Sequence, residues 1–445
     1  MDKIDKQFSR RFKVTESALR EVLSGSFGAR KLPADLILAD FFRKNRNCGS
    51  HDRNFISQHI YHLLRHWGWM RQLIPAERLA LLETGKISLQ SRDVAAMLAF
   101  GCGCAQEEPS DALALLSLTG IGSFERIGRV SDPEERACFW SGIFGERKKF
   151  SYSQLIPDDF PEVSVGFDLS GYCRRLASRP GLWVRLRTPE MAAQTAAELS
   201  DRRIPVQVHP QVPGAMRIAV GSVNFRELDC FNCGVIEIQD LASQCVGLTA
   251  APKPGERWFD ACAGAGGKTL QLASLMSGRG RVDAGDIREK ALEELRLRAK
   301  RGNWSNISCR VHDGKHWYSN HKYDGVLVDA PCSGSGVWRR NPLGQWKFSR
   351  QEIADFAARQ QEILQSFSSL VRPGGALVYA TCSIFKAENE QVVENFLEQN
   401  RDFEPALIKH PLTGAETFYM HAGNGEADCD ELFACRMVRK QQIGE

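Results

Sequence analysis

No apolar stretch in this 445-residue chain is long enough to span a bilayer. The longest, residues 94–105 and 112–118, stop well short of the roughly 18–20 residues a crossing helix needs. The opening Met1-Asp2-Lys3-Ile4-Asp5 lacks an apolar core behind a basic patch, so no secretory leader is expected. Extreme composition is missing too: 43% hydrophobic and 25% charged residues are globular averages, which excludes a disordered or collagen-like chain. Metal-type cysteine spacing is absent as well. Cys230-Phe231-Asn232-Cys233 is a lone CxxC, Cys102-Gly103-Cys104 has no partners at zinc spacing, and the other cysteines are scattered, several (Cys262, Cys309, Cys435) in apolar runs that suit small buried hydrophobes. Reduced thiols, no metal site and a cytoplasmic, multidomain chain follow as expectations, at roughly 150 residues per domain.

What the chain does have is uneven charge. Basic side chains outnumber acidic ones by four overall, yet residues 1–75 hold 14 Lys and Arg against 7 Asp and Glu, leaving −3 for the remainder. A basic leading segment fits contact with a polyanion, nucleic acid first, and equally a solvated helix face. Residues 1–145 read as a helical bundle. Leu19, Val22 and Leu23 share one stripe, and Ile56, Ile60, Leu63 and Leu64 another, at the spacing of a helix face. Polar breaks at 45–52 and at 107–111, the latter with Pro109, separate the helices.

Residues 146–240 read as a small α+β module. Residues 183–187 alternate like a half-buried strand, 190–199 are Ala-rich and helical, and 206–208, 216–220 and 235–238 are short strands. Arg185 and Arg187 are expected on the wet face of the first strand, although a sheet with basic residues can also meet RNA. In residues 241–445, apolar runs at 258–262, 281–287, 323–328 and 376–380 alternate with helical patterns at 269–276, 290–300 and 351–370. That alternation predicts parallel βαβ crossovers in a doubly wound α/β sheet, with ligands at the carboxyl ends of the strands.

The run Phe259-Asp260-Ala261-Cys262-Ala263-Gly264-Ala265-Gly266-Gly267-Lys268-Thr269 leaves a strand and opens a helix, and its glycines let backbone approach a ligand. It lacks the GxGxxG spacing of a dinucleotide loop and cannot be laid on a P-loop. About twenty residues on, the next strand ends in Asp286, placed to accept from a ribose diol, and a further acid, Asp313, follows the strand after that. Each acid alone could be a helix cap. The ordered series of three, closing with Asp329, suits a nucleoside such as S-adenosylmethionine.

Two cysteines stand at strand ends about fifty residues apart, in Asp329-Ala330-Pro331-Cys332-Ser333 and Ala380-Thr381-Cys382-Ser383. One buried cysteine is usually packing, but two in loops with small polar neighbours at the same sheet edge suit methylation at carbon 5 of a pyrimidine. A thiolate adding to carbon 6 makes carbon 5 nucleophilic toward a sulfonium methyl, and a base must then remove the carbon 5 proton. A thiol of pKa about 8.5 needs help to ionise near neutrality. Asp329 is placed to hydrogen-bond the amino edge of a cytosine or to protonate its ring nitrogen.

On these residues the chain resembles the RsmB/Nop family of RNA (cytosine-5) methyltransferases, whose bacterial members modify small-subunit ribosomal RNA. The resemblance is strong over residues 235–440. It extends more weakly to the N terminus, where Asp52-Arg53-Asn54-Phe55-Ile56-Ser57 and residues 61–67 are similar to a domain like the antitermination factor NusB. It implies a Rossmann-like S-adenosylmethionine-dependent methyltransferase domain at 241–445, behind an all-α NusB-like domain at 1–145 and the α+β module at 146–240. It further implies that Cys382 is the nucleophile and Cys332 assists product release, an order opposite to that of the DNA enzymes, and so no DNA substrate. Cys262, Ala263, Gly264, Ala265, Gly266, Gly267, Lys268, Asp286, Asp313 and Asp329 match positions that contact or frame the methyl donor, and Glu388-Asn389 supports the site. The expected partner is structured RNA, ribosomal first and transfer RNA as the alternative, met by a monomer without membrane contact and read by flipping a base into the pocket. A non-catalytic RNA-binding assembly factor is the competing reading. The chain departs from the family pattern at Ala265 (proline is usual), Leu343 (aspartate) and Glu431 (glycine).

Overall fold

The computed structural model describes residues 3–106, 110–120, 130–145, 147–218 and 223–441. They fall into two compact units: residues 1–160 with 169–179 and 338–348, and residues 161–168 with 180–337 and 349–445. The stretch 146–240 therefore divides between them. Among the described residues no helix is long and apolar enough to cross a membrane.

The first unit is helical because its apolar positions recur at helical spacing. Its longer helices are Lys3–Phe27, Ala34–Lys44, Ser50–Arg65 and Ser91–Ala105. The stripe residues Leu19, Val22, Leu23, Ile56, Ile60, Leu63 and Leu64 are all fully buried. Of these four, helix Ser91–Ala105 is the most apolar, and it is buried from Val94 to Cys104. Its glycines allow that: a Cβ on Gly101 would stand 2.5 Å from Leu63 backbone, and one on Gly103 2.3 Å from the Trp140 ring. The Cys102-Gly103-Cys104 run is thus interior packing, with burial raising both thiols. The break at 45–52 holds the change from one helix to the next. Residues 107–109 of the second break lie outside the described residues.

In the second unit, strands β1 (Leu182–Leu186), β2 (Val206–Val208), β3 (Ala215–Ile218) and β4 (Ile236–Ile238) form an antiparallel sheet in the order β2-β3-β1-β4. Residues 219–220, expected to continue the third strand, lie outside the described residues. One expectation fails here. Strand β1 is not half wet: Trp183, Val184, Arg185 and Leu186 are all buried. Val184 and Leu186 join one apolar cluster with Leu199, while Trp183 joins another with Leu241 and Val246, so both faces are covered. Arg185 is held inside by donating from Nε to Gln239 Oε1 at 2.7 Å, and burial lowers its pKa to about 10.

The large sheet contains β5 (Arg257–Asp260), β6 (Arg281–Asp286), β7 (Ile307–Val311), β8 (Tyr323–Asp329), β9 (Val371–Thr381), β10 (Phe403–Pro405), β13 (Tyr419–Ala422) and β14 (Leu432–Arg439), while β11 (Ile408–Lys409) and β12 (Glu416–Thr417) pair separately. Its order is β10-β14-β9-β8-β5-β6-β7, with β13 on β14. The pairs β9/β8, β8/β5, β5/β6 and β6/β7 are parallel, as the alternating texture predicted, and β14 runs antiparallel to β9. The chain leaves β5 toward β6 and β7 and returns on the other side for β8 and β9. That reversal opens a crevice at the carboxyl ends of β5 and β8, where doubly wound folds hold their ligands. The glycine loop follows β5, and the Asp329-to-Cys332 segment ends β8.

Candidate functional site

The glycine loop is built by backbone that only glycine adopts without strain. Gly264 and Gly266 have φ of +53° and +88°, and a Cβ on Gly266 would stand 2.1 Å from the Leu295 side chain. A Cβ on Gly267, by contrast, would meet nothing within 4 Å, so open space lies over the first residue of helix Gly267–Leu275. Such a cradle of exposed backbone at a helix start fits the close approach of a nucleoside ligand. Ala263 N–H donates to Gly285 O at 2.9 Å and Gly266 N–H to Ala263 O at 2.9 Å, which fixes the turn; half-buried Cys262 sits at its root with its thiol raised by burial. Beneath it, Asp260 is wholly buried, accepts from Thr269 Oγ1 at 2.6 Å, and is pushed up to about 7 by burial despite that bond.

Asp286, at the end of β6, is only 5% exposed. It accepts from Gly264 N–H at 2.8 Å and from the backbone and guanidinium of Arg288. Burial alone would raise its pKa, but these donors outweigh it and lower it. The acceptor positions expected to face a ribose diol are thus filled by Arg288, whose side chain is two-thirds exposed. Ala265 presents its carbonyl to Arg298 Nη1 at 2.7 Å. Asp313 stands apart from the other acids. Its exposed carboxylate accepts from the backbone of Lys315 and His316 and from His316 Nδ1, so it caps a turn and bonds to none of the other expected site residues.

At the switch point Lys268 Nζ donates to Asp329 Oδ2 at 2.6 Å. Lys268 is buried, which pulls its pKa down. Asp329 and, more weakly, Cys382 overcome that and raise it, so an ammonium sits within electrostatic reach of Cys382. The sulfurs of Cys332 and Cys382 are 3.3 Å apart, in hydrogen-bond contact rather than a disulfide. The Cys332 thiol is raised well above the usual range by that bond first, then by burial and the charge of Cys382.

The two cysteine loops are tied by one carboxylate. Fully buried Glu388 accepts from Ser333 N–H at 2.8 Å, Ser333 Oγ at 2.6 Å, Ser383 Oγ at 2.6 Å and Gln360 Nε2 at 3.0 Å. Asn389 continues the lock, accepting from Thr381 Oγ1 at 2.6 Å and donating to Ser383 O at 2.9 Å. Gly336 N–H donates to Cys382 O at 2.9 Å, and Glu431 N–H to Gly336 O at 3.0 Å, so Glu431 serves the site through its backbone. Sequence reasoning did not anticipate Gln360 or the pairing of Lys268 with Asp329. The serines beside both cysteines were the visible trace of the Glu388 lock.

Residues 248–434 match the family described as 16S rRNA methyltransferase RsmB/F. A ribosomal RNA small subunit methyltransferase B from Klebsiella pneumoniae subsp. pneumoniae is 34% identical over 269 residues, 59% of this chain and 60% of that protein. One of the same name from Salmonella paratyphi B is 31% identical over 266 residues, again 59% and 60%. The chain thus spans about 60% of the length of the relatives it matches. The crystal structure of PH0851 shares the fold over 95% of this chain and 98% of its own, with a TM-score of 0.70 at 23% identity. The structure of NSun6 from Pyrococcus horikoshii with SFG covers 60% of this chain and 93% of its own, with a TM-score of 0.53 at 17% identity. The matched segment 248–434, which holds the glycine loop, both cysteines and the Glu388 lock, is thus similar to the RsmB/F methyltransferases.

Proposed function

We propose that this chain transfers a methyl group from S-adenosylmethionine to carbon 5 of a cytosine in structured RNA, with small-subunit ribosomal RNA as its substrate. The observation that carries the reading is the contact of two thiols, 3.3 Å apart, beside a buried lysine at the switch point of the sheet. The names of the relatives support ribosomal RNA as the substrate. The Gly264–Gly267 cradle and Asp286 would hold the donor, which supplies an electrophilic methyl on its sulfonium.

Cys382 is the nucleophile: its thiolate bonds to carbon 6, and the displaced electron pair makes carbon 5 the attacking atom. Lys268 keeps a positive charge beside that sulfur. Asp329 has one oxygen on Lys268, which leaves Oδ1 for the cytosine edge. Cys332, after its own proton has passed to solvent, then takes the carbon 5 proton as a thiolate while the carbon 6–sulfur bond breaks and its electrons return to Cys382. Two of the three leading causes that keep Cys332 protonated, the bond to Cys382 and the charge of Cys382, vanish once Cys382 is a thioether. Cys332 is thus held protonated before the adduct forms and ionises more readily after it.

Digestion and mass analysis of ribosomal RNA from cells lacking the gene, treated with the purified protein and donor, test the product. A single new 5-methylcytidine in the small-subunit RNA is expected. Methylation of transfer RNA alone, or at another atom, would overturn the assignment.

A further inference from the structure

Residues 161–168 belong to the second unit, although the chain on either side of them, residues 1–160 and 169–179, belongs to the first. They lie before the matched segment 248–434, yet they pair with the loop that follows Cys382. Val163 bridges Phe385 in antiparallel fashion: Ser164 N–H donates to Ile384 O at 2.9 Å, and Lys386 N–H to Glu162 O at 3.2 Å. Ser164 is buried in this seam at 2% exposure, and its hydroxyl is used twice. Oγ donates to Glu390 Oε2 at 3.0 Å and accepts from Asn389 Nδ2 at 2.8 Å. Glu390 fixes that direction. Its carboxylate also accepts from Val165 N–H at 3.0 Å and stands 3.3 Å from His421 Nε2; burial would raise its pKa, but these donors lower it. A hydroxyl that donates to a carboxylate offers its lone pairs to its other partner, so only the NH2 of Asn389 can face it. The same amide then has its oxygen on Thr381 Oγ1, at 2.6 Å, and its second proton on Ser383 O, at 2.9 Å. One side chain thus grips both neighbours of Cys382, and Ser164 sets which way that amide points.

We propose that Ser164 is a positioning residue for methyl transfer: through Asn389 it fixes the Thr381-Cys382-Ser383 segment, and with it the reach of the Cys382 sulfur toward carbon 6 of the base. This role rests on the proposed function, in which Cys382 is the nucleophile. Part of the apparatus that aims the thiol then lies outside the matched segment, on a strap of a few residues. An alanine at 164 would keep the backbone bond to Ile384 and lose both side-chain bonds, leaving the Asn389 amide free to turn and the loop free to shift. Rate is the quantity at risk, because attack needs the sulfur held close to carbon 6 and a misplacement of about 1 Å can cost about 100-fold. Donor binding is not, because the glycine loop and Asp286 stand on β5 and β6.

The test compares the full-length protein with Ser164→Ala, Ser164→Thr and Glu162→Gln in single-turnover methyl transfer. Ser164→Ala should lower the rate at saturating RNA and donor about 10-fold, while the dissociation constants of both change by less than about twofold. Ser164→Thr keeps a hydroxyl and should recover most of the rate. Glu162→Gln removes only the exposed ion pair between the strap and Lys386 and should match the parent. In an Asn389→Ala background Ser164→Ala should slow the reaction no further, because it acts through that amide. An unchanged rate in Ser164→Ala, equal losses in Ser164→Ala and a folded Ser164→Thr, an equal loss in Glu162→Gln, or additive losses in the double variant would overturn the role. A second readout leaves methylation aside. The half-buried Cys382 thiol should be alkylated by iodoacetamide several-fold faster in Ser164→Ala than in the parent, as resolved by peptide mass, and equal rates would also overturn the role. A parent that methylates no RNA, with faster alkylation in Ser164→Ala, would overturn the proposed function and keep the hold of Ser164 on the loop.

Discussion

Lys268 links the two halves of the site, because one ammonium faces both Asp329 and Cys382. Lys268→Met is expected to slow single-turnover methyl transfer on the order of 100-fold, and Lys268→Arg to recover part of it, as a preorganised charge beside the reacting group should. Asp260 makes a separate prediction. Its folded pKa of about 7 lies above the ordinary 3.8, so folding favours its protonated form. The stability it lends is complete below about pH 4 and is lost as pH rises through about 7, a swing of up to about 4 kcal/mol. Asp260→Asn keeps an acceptor for Thr269 and should be more stable than the parent at pH 8, with the difference shrinking toward pH 5. Denaturant unfolding across that range checks it, and a constant difference would contradict it. Asp313, read as a ligand acid because it follows a strand, also caps a local turn through its carboxylate. At this scale the sequence misled at Arg185. Arg185 looked wet because its strand alternates, yet elements far along the chain cover both faces.

Elements place these residues. The two cysteines lie about fifty residues apart, yet β8 and β9 are parallel neighbours, and Ala330 N–H donates to Ala380 O at 2.9 Å just before the loops begin. Glu388 then sets the separation of the thiols. Glu388→Ala removes an acceptor shared by Ser333, Ser383 and Gln360 and should destabilise the domain by about 1–3 kcal/mol, measured by denaturant unfolding. The glycine loop offers a contrast. Gly266→Ala forces a methyl into Leu295 at positive φ and should destabilise by about 1–3 kcal/mol. Gly267→Ala meets no protein atom, so stability should stay within about 0.5 kcal/mol while donor affinity, measured by calorimetry, falls. Parallel strands and their helices were readable because short apolar runs bounded by glycine and acid carry a clear period. The antiparallel strands β10, β13 and β14 were not. Leu432–Arg439 mixes Cys, Arg and Met in a run whose partner, β9, precedes it by about fifty residues.

At the scale of the whole molecule, the family match covers 248–434 while the basic excess lies in residues 1–75. RNA affinity should therefore fall steeply between low and physiological salt, and donor affinity should change little. Leu343, in place of the family's usual aspartate, is fully buried in the first unit, so the departure is absorbed by packing. The central claim is the division of labour between two touching thiols, and covalent trapping tests it most directly. Cys332→Ala and Cys382→Ala are each incubated with S-adenosylmethionine and total RNA, and the mixtures are resolved on a denaturing gel. Cys332→Ala should hold RNA in a slow-migrating band that survives denaturation, and Cys382→Ala should show none. A band from Cys382→Ala with none from Cys332→Ala would contradict the account.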